Sequence, residues 1–261
     1  MLSTHAQPAP SLRPAAVPLA PPLLVAASRD DARASRQVAD TLKLLVETLA
    51  PRRRVVHAGD VLYGAGEHFR TLYVLNSGFV KMINTSADGR EQVVGLKFRG
   101  DWLGFDGIAD GAYACDAIAM DTGEVWAIRY DELLAAGPSC PALLTVLHGA
   151  MSRQLGRDRE SLMSVCTLPA DARVAEFLRH WVTSLARSGL RCDQITLRMS
   201  RADIGNYLGM TLETVSRALS KLARGGIIEF AEKGRRNIRI ADVSALSGFV
   251  QSCLAPVPTL Q

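Results

Sequence analysis

The sequence predicts an α+β protein in which an N-terminal antiparallel β-roll is followed by a long helix and a C-terminal helical domain. Three observations lead to this prediction. Short apolar runs separated by glycine-containing turns fill residues 51–135, and an apolar stripe at helical spacing covers about residues 141–165. Two further helical patterns flank Gly209 and precede a short basic hairpin pattern.

The composition allows two modest domains with tails. The 261 residues are 48% hydrophobic, which is enough for a core in each domain. The first 28 residues are rich in Pro and Ala and lack the basic start and apolar core of a signal peptide. The predicted segments are a disordered tail (1–36), the β-roll (37–138), the long helix (139–168), the C-terminal helical domain (169–247) and a C-terminal tail (248–261).

The five cysteines are odd in number, widely scattered and form no C-x-x-C pair. Neither a disulfide framework nor a zinc ribbon is therefore predicted. No apolar run is long enough to cross a membrane, so we expect a reduced, cytoplasmic protein with no membrane contact. Cys115 and Cys166 are predicted to be small core residues. Cys192 lies in a loop and is predicted to be a structural or incidental thiol, with an exposed thiol as the alternative.

The roll begins after an amphipathic helix predicted over residues 37–49. Short strands at this spacing favour a compact antiparallel barrel or roll, and the sequence 86–90 fits a hairpin tip. The strand-like runs are 55–60, 72–75, 79–83, 92–96 and 124–128.

The segment 200–224 is typical of a helix-turn-helix. Ser200 and Asp203 are predicted to cap the first helix, and Thr211 is the predicted N-cap of the second. The second helix has an apolar stripe at i, i+3, i+7 and i+10, which we expect to be buried. The stripe consists of Leu212, Val215, Leu219 and Leu222.

The opposite face of the second helix carries Glu213, Ser216 and Arg217. Arginine can donate two hydrogen bonds to guanine, glutamate can accept one from cytosine, and serine can reach a neighbouring base. A solvated charged face is the alternative, and the helix dipole also favours Glu213 in the first turn. The preceding helix, the Gly209 turn and the basic hairpin favour DNA base contacts.

The hairpin over residues 227–240 is predicted to be the wing of a winged helix, with a further strand at Ile195 and Leu197. Residues 169–240 hold 13 Lys and Arg but only 7 Asp and Glu, so the positive charge of the chain is concentrated there. Phosphate contacts position a protein on DNA without reading its sequence. The predicted phosphate-contacting residues are Arg201, Thr211, Lys221, Arg224, Lys233, Arg235 and Arg236.

The long helix has a nearly heptad stripe, which favours a dimer helix because symmetric DNA sites suit two-fold proteins. A core face for one domain is the alternative. Asp158 lies on this stripe, where two copies would bring like charges together; alternatively it points outward or pairs with Arg157 or Arg159. The predicted dimerisation residues are Leu144, Leu147, Met151, Leu155, Asp158 and Leu162.

The order of β-roll, long helix and winged helix resembles the Crp/Fnr superfamily of bacterial transcription regulators over residues 40–245. Four motifs resemble the FNR and FixK branch. They are Gly100–Asp106, Ala172–Leu178, Asp203–Gly209 and Leu212–Arg217.

This resemblance implies a homodimer with a cyclic-nucleotide-binding-like roll. It also implies that Glu213, Ser216 and Arg217 read a TTGAT half-site repeated as ATCAA in double-stranded DNA. A surface near Asp88-Gly89-Arg90 is implied to contact RNA polymerase.

The sequence departs from the family at the sites that hold its cofactors. Residues 1–114 contain no cysteine, and Trp126 stands where a roll cysteine is expected, so an iron–sulfur cluster is not predicted. The stretches matching the cyclic-nucleotide site are 104–106 and 114–116; they lack arginine, and Asp116 would repel a phosphate. We therefore predict no cofactor and no metal.

Three other functions have less support in the sequence than a DNA-binding regulator. A haem sensor has only His57, His68 and His148 as scattered axial candidates, and a nucleotide-gated sensor lacks the phosphate-binding arginine. A cupin-like metalloenzyme would need clustered histidines and carboxylates, and no H-x-H pattern occurs. With no P-loop, G-x-S-x-G or metalloprotease motif, we predict a regulator that is not an enzyme.

Overall fold

The computed structural model describes residues 29–231 and 236–254 of the chain. The roll follows helix α1 (Arg29–Leu49) and ends in helix α3 (Tyr130–Ala136), with the short helix α2 (Gly107–Asp110) within it. Its strands are β1 (Arg52–Val56), β2 (Val61–Tyr63), β3 (Thr71–Ser77), β4 (Val80–Thr85), β5 (Glu91–Lys97), β6 (Trp102–Leu103), β7 (Asp116–Ala119) and β8 (Gly123–Arg129).

Two four-stranded antiparallel sheets form the roll, in the orders β1-β8-β3-β6 and β2-β7-β4-β5. Alternating side chains of the longer strands point into a shared core; in β3, for example, Leu72 and Val74 are fully buried. All five predicted strand-like runs contain strand residues. Strands β2, β6 and β7 were not predicted, because two to four residues are too few to show alternation.

Helix α4 (Pro141–Thr167) is the predicted long helix, and Pro141 stands at its start, where proline costs no hydrogen bond. Its first half packs on the roll through Leu143, Leu147 and Ala150, which are buried in the roll core. The helix ends before Pro169, and the chain then enters the C-terminal domain.

The C-terminal domain contains helix α5 (Ala170–Arg187), strand β9 (Gln194–Thr196), helices α6 (Arg201–Leu208) and α7 (Leu212–Arg224), strands β10 (Glu229–Phe230) and β11 (Asn237–Arg239), and helix α8 (Val243–Leu254). The strands form one antiparallel sheet in the order β10-β11-β9. This antiparallel roll, long helix and C-terminal helix-turn-helix confirm the predicted fold class.

Both predicted tails need correction where the structure describes them. Helix α1 begins at Arg29 rather than at residue 37, and Asp30 and Asp31 in its first turn suit the helix dipole. Helix α8 continues to Leu254, because Phe249 and Val250 pack against the core of the C-terminal domain. The other predicted tail residues, 1–28 and 255–261, lie outside the described residues.

The prediction for Cys166 was wrong, because it is exposed near the end of α4. Cys192 is buried, in agreement with a structural thiol. Burial raises the pKa of the Cys192 thiol, with a further contribution from the charge of Asp193. Cys115 is buried, as predicted.

The core of the C-terminal domain also includes residues of the roll, beside the separate roll core. Ile83, Val93 and Phe98 of the roll cluster with Trp181 of α5. Helix α6 also docks on the edge of β5 through Asn206, whose amide accepts a hydrogen bond from the backbone N–H of Val93 and donates one to a neighbouring carbonyl. The first helix of the helix-turn-helix is therefore held by the roll. Among the described helices, none is both long enough and apolar enough to span a bilayer.

Candidate DNA-binding interface

The turn between α6 and α7 is fixed by capping and by two glycines. Ser200 Oγ accepts a hydrogen bond from the backbone N–H of Asp203 at 3.0 Å, and the Asp203 carboxylate accepts one from the backbone N–H of Ser200 at 3.1 Å. Gly209 ends α6 in the left-handed conformation with φ of 65°. A Cβ at Gly205 would lie 2.6 Å from the Met210 carbonyl oxygen, so only glycine allows α6 and the turn to approach this closely.

Helix α7 is anchored by one buried face. Val215, Leu219 and Leu222 are almost fully buried, as predicted, and Ala218 lies beside them. Thr211 is the N-cap, with its hydroxyl accepting from the backbone N–H of Thr214 at 3.3 Å. The prediction for Leu212 was wrong: it is 45% exposed, because the first residue of the helix lies beyond the edge of the core.

The opposite face of α7 presents the predicted base-contacting residues. Glu213 and Arg217 are exposed, and Ser216 is half-buried between them. The pKa of the Glu213 carboxyl is lowered by the hydrogen bond from its own backbone N–H, then by the Thr211 hydroxyl and the charge of Arg217. At neutral pH this carboxylate is ionised and can accept a hydrogen bond from a base amino group.

The predicted phosphate-contacting residues occupy different environments. Arg224 and Arg236 are exposed, and Arg201 is half-buried at the start of α6. Lys221 forms an ion pair with Asp171 and lies 5.9 Å from the ring centre of Phe249. Lys233 and Arg235, at the predicted wing tip, lie outside the described residues.

A shallow groove runs along α7, and Asp171 is the charged residue in its lining that the sequence did not predict. The acid stands in the first turn of α5, where the helix dipole explains it without reference to α7. Its contact with Lys221 spans 50 residues of sequence, so no local pattern could have shown it. The groove is lined by Asp171, Ser216, Arg217, Ser220, Lys221, Ala223, Arg224 and Phe230.

The stripe predicted for dimerisation is divided along α4. Leu147 is only 4% exposed and belongs to the roll core of its own chain, so its assignment as a dimerisation residue is corrected. Leu144 and Met151 are half-buried against the same core. Leu155 and Leu162 are 57% and 64% exposed.

The second half of α4 carries further features that the stripe did not show. Met163 is also exposed, next to Leu162. Asp158 accepts a hydrogen bond from Gln154 at 2.7 Å. Arg157 pairs with Asp101 of the roll at 2.7 Å, so it is not the partner of Asp158.

A cavity of about 460 Å³ lies between the roll and α4. Lys97 on its wall is 4% exposed and donates to the side-chain oxygen of Gln154. Burial lowers the pKa of the Lys97 ammonium, although the charge of Asp101 partly opposes this. Leu155 and Asp158 of α4 also line the cavity.

The residues matching a cyclic-nucleotide site do not fit a cyclic phosphate. The carboxylate of Asp106 accepts from the backbone N–H of Ala114 at 2.9 Å and from the thiol of Cys115 at 3.2 Å. Burial, then the Asp106 charge, raises the pKa of Cys115 to about 12. Asp116 accepts from the backbone N–H of Ala65 at 2.7 Å. A phosphate would therefore face carboxylates where an arginine is needed.

Within residues 29–231 and 236–254, no group of three or more His, Cys, Asp or Glu side chains is placed to hold a metal ion. All five cysteines lie in these ranges, and each is a free thiol.

Two family models match the chain. The model of the Crp-like helix-turn-helix domain matches residues 172–249, and that of the cyclic nucleotide-binding domain matches residues 53–137. The first range contains every residue that lines the groove along α7 except Asp171, and the second contains most of the β-roll.

Characterised relatives match most of the chain. The transcriptional regulatory protein btr of Bordetella pertussis is 31% identical over 210 residues, 80% of this chain and 86% of that protein. The fumarate and nitrate reduction regulatory protein of Escherichia coli is 30% identical over 190 residues, 73% of this chain and 75% of that protein. The structure of FixK2 from Bradyrhizobium japonicum superposes with a TM-score of 0.67 at 27% identity, covering 76% of this chain and 96% of that one. The chain belongs to the Crp/Fnr family of transcription regulators.

Proposed function

We propose that the protein is a homodimeric regulator that recognises a TTGAT–ATCAA palindrome through Glu213, Ser216 and Arg217. One observation carries the proposal. Helix α7 is fixed by its buried face, and these three side chains stand on its opposite, solvent-facing side. Because an α-helix fits the major groove, a fixed helix with an ionised acid and an arginine can distinguish cytosine and guanine there.

The cations around α7 supply the affinity that does not depend on sequence. Arg224 and Arg236 are exposed, and we propose that they contact phosphates together with Arg201 and the Thr211 hydroxyl. Lys221 takes part after exchanging its Asp171 partner for a phosphate oxygen. The remaining proposed phosphate contacts are those of Lys233 and Arg235.

The second half of α4 supports the homodimer. Leu155, Leu162 and Met163 expose apolar surface on one helix, which is suited to packing against a second copy. A two-fold dimer places two α7 helices on the two halves of a palindrome. The hairpin between β4 and β5, where Asp88 and Arg90 form an exposed ion pair at 2.9 Å, is the proposed RNA polymerase contact.

A ligand-gated regulator is the second candidate, and the roll cavity is the observation that favours it. The cavity is large enough for a small molecule, and three of its lining residues, Met151, Leu155 and Asp158, lie on the predicted dimerisation stripe. In such a protein, occupancy of the cavity would set the fraction of dimer that is competent to bind DNA.

The test is binding of the aerobically purified, metal-free protein to a TTGAT–ATCAA duplex and to a scrambled duplex across a series of salt concentrations. We expect selective binding whose affinity falls linearly with the logarithm of salt concentration. Weak binding that becomes selective after addition of a ligand would favour the gated regulator. Equal affinity for both duplexes under all conditions would contradict the proposed recognition sequence.

A further inference from the structure

A crevice of about 100 Å³ lies where the roll, the long helix and the C-terminal domain meet. The turn between β5 and β6, helix α4 and the end of α5 form its walls, and helix α1 contributes residues to its rim. Four arginines line it: Arg99, Arg153, Arg157 and Arg187. We call this feature the arginine crevice. Neither the helix-turn-helix nor the roll cavity includes it.

The crevice has a large excess of positive charge. Asp101 is the one carboxylate among its described lining residues, which also include the four arginines. Asp101 is already engaged, because it accepts from Arg157 at 2.7 Å and from the backbone N–H of Phe98 at 3.0 Å. A single carboxylate, already paired with one of the four arginines, leaves the lining with more positive than negative charge.

The remaining arginines differ in their partners. Arg99 donates to the backbone carbonyl of Ser188 at 3.0 Å, and the Ser188 hydroxyl donates to the Arg99 carbonyl at 3.2 Å. Arg153 and Arg187 have no hydrogen bond or ion pair with any residue that the structure describes.

Arg153 also lies one turn before Arg157 on α4. Two like charges at this spacing repel each other and destabilise the helix. The pKa of Arg153 is lowered by partial burial and then by the charge of Arg157. Arg153 and Arg187 are exposed to solvent, so an anion from solution can reach both guanidinium groups.

We propose that the arginine crevice binds a small phosphate-bearing anion with the charge of a diphosphate group. Guanidinium groups match phosphate oxygens with paired hydrogen bonds, and several cations converging on one small volume suit a multiply charged anion better than a single carboxylate. The anion would bridge Arg153 of the long helix and Arg187 of the C-terminal domain. It would thus strengthen the junction that Arg99 and Ser188 already form.

The crevice is remote from the proposed DNA surface. Asp171 in the first turn of α5 lines the groove along α7, whereas Arg187 is the last residue of α5. An 18-residue helix is about 27 Å long, so the two sites lie at opposite ends of α5. DNA bound at α7 does not require contact with the arginine crevice. The anion proposed for the crevice is therefore a ligand separate from the DNA.

The experiment is calorimetric titration of the full-length protein with sodium pyrophosphate at constant ionic strength, compared with orthophosphate and ATP. We expect saturable binding of pyrophosphate by the unaltered protein. Because each lost guanidinium removes charge-assisted hydrogen bonds, Arg153→Gln and Arg187→Gln are each expected to bind about tenfold more weakly or worse. Arg159→Gln is the matched control, since Arg159 is exposed on the same helix but outside the crevice.

The arms of this experiment separate the outcomes. Tighter binding of ATP than of pyrophosphate would mean that the ligand of the crevice is a nucleotide. Absence of saturable heat with all three anions, or equal weakening by Arg159→Gln, would overturn the proposal. A loss of DNA affinity with a smaller salt dependence in Arg153→Gln and Arg187→Gln would also overturn it, because the arginines would then be DNA phosphate contacts. Pyrophosphate binding is measured without DNA, so failure of the proposed recognition sequence would not affect the result.

Discussion

Helices α4 and α7 each carry an apolar stripe, but they bury it against different partners. The stripe of α7 packs into the core of one domain, and its opposite face is left to solvent. The stripe of α4 changes partner along its length: Leu147 belongs to the roll core, whereas Leu162, four turns later, is exposed. The single apolar stripe of α4 therefore belongs to two different surfaces, because its first half lies in the roll core and its second half is exposed.

The difference has a physical origin. Helix α7 has 13 residues and is flanked by its own domain throughout, so its buried face is set locally. Helix α4 has 27 residues and extends beyond the roll that covers its beginning. A helix longer than its supporting domain needs a second partner for the rest of its apolar face.

The largest effect is expected for the buried face of α7. Leu219→Ala should lower the free energy of unfolding by about 2–5 kcal/mol, because it leaves a cavity in a closed core. Leu212→Ala is the control, since Leu212 is exposed on the same helix, and it should change stability by less than about 1 kcal/mol. Urea denaturation measures both. Similar losses for the two variants would mean that Leu212 is buried in solution.

Substitutions on the solvent-facing side of the DNA-binding domain should change DNA binding rather than fold stability. Arg217→Ala should cost about 1–3 kcal/mol of binding at one base position and relax discrimination there. Arg236→Ala should weaken specific and random duplexes alike and reduce the salt slope by about one. Titrations of both variants with matched and single-mismatch duplexes provide the measurement. An equal loss on all sequences for Arg217→Ala would remove its role in base recognition.

Substitutions in the two halves of α4 should change different properties: fold stability in the first half and dimer association in the second half. Leu162→Ala should weaken the dimer by about 1 kcal/mol or more, because it removes an apolar contact between copies, and should leave monomer stability nearly unchanged. Leu147→Ala should instead destabilise the fold, as expected for a roll core residue. Analytical ultracentrifugation and urea denaturation distinguish these effects. An unchanged monomer–dimer constant for Leu162→Ala would exclude this face as the dimer contact.

A substitution at Asp158 should have a smaller effect on dimer affinity, in the opposite direction. Two copies of this exposed carboxylate near a two-fold axis would repel each other, so Asp158→Ala should strengthen the dimer by up to about 1 kcal/mol. Asp158→Asn is a useful second variant, because it removes the charge while keeping a group that can bond with Gln154. Ultracentrifugation across salt concentrations checks the result. No change in either variant would mean that Asp158 does not tune dimerisation.

The smallest effect concerns the docking of α6 on the roll. Burial raises the pKa of Asp203, but hydrogen bonds from Ser200 and Lys81 outweigh it, so the pKa lies below its ordinary value of 3.8. A carboxyl with a lowered pKa stabilises the fold fully above its unfolded pKa, and this stabilisation is lost as pH falls through the folded pKa.

Lys81 pairs with Asp203 at 2.9 Å, and both side chains are partly exposed, so solvent screening limits the effect to below about 1 kcal/mol. The unaltered protein should therefore lose slightly more stability below pH 3.8 than Asp203→Asn does. Urea denaturation at neutral and acidic pH measures the difference. Parallel pH profiles would show that the ion pair contributes nothing.

Local chemistry explains how far the fold and the candidate DNA-binding interface could be predicted. The capping of α6 and α7, the Gly209 turn and the exposed positions of Glu213 and Arg217 all depend on neighbours within a few residues, and the structure confirms each of them. The short strands, the full length of α1 and helix α8 were missed, because these segments gain their order from packing partners that are distant in the sequence.

By itself, the sequence determined the element types, the helix-turn-helix and the residues on its exposed face, since caps, turns and helical periodicity act through adjacent residues. The tertiary structure alone decided which partner each part of α4 meets, that Lys97 lines a cavity, and that four arginines from three elements converge beside Asp101. The physical reason is that burial and charge compensation depend on groups brought together across dozens of residues, and neither quantity is encoded at a single position.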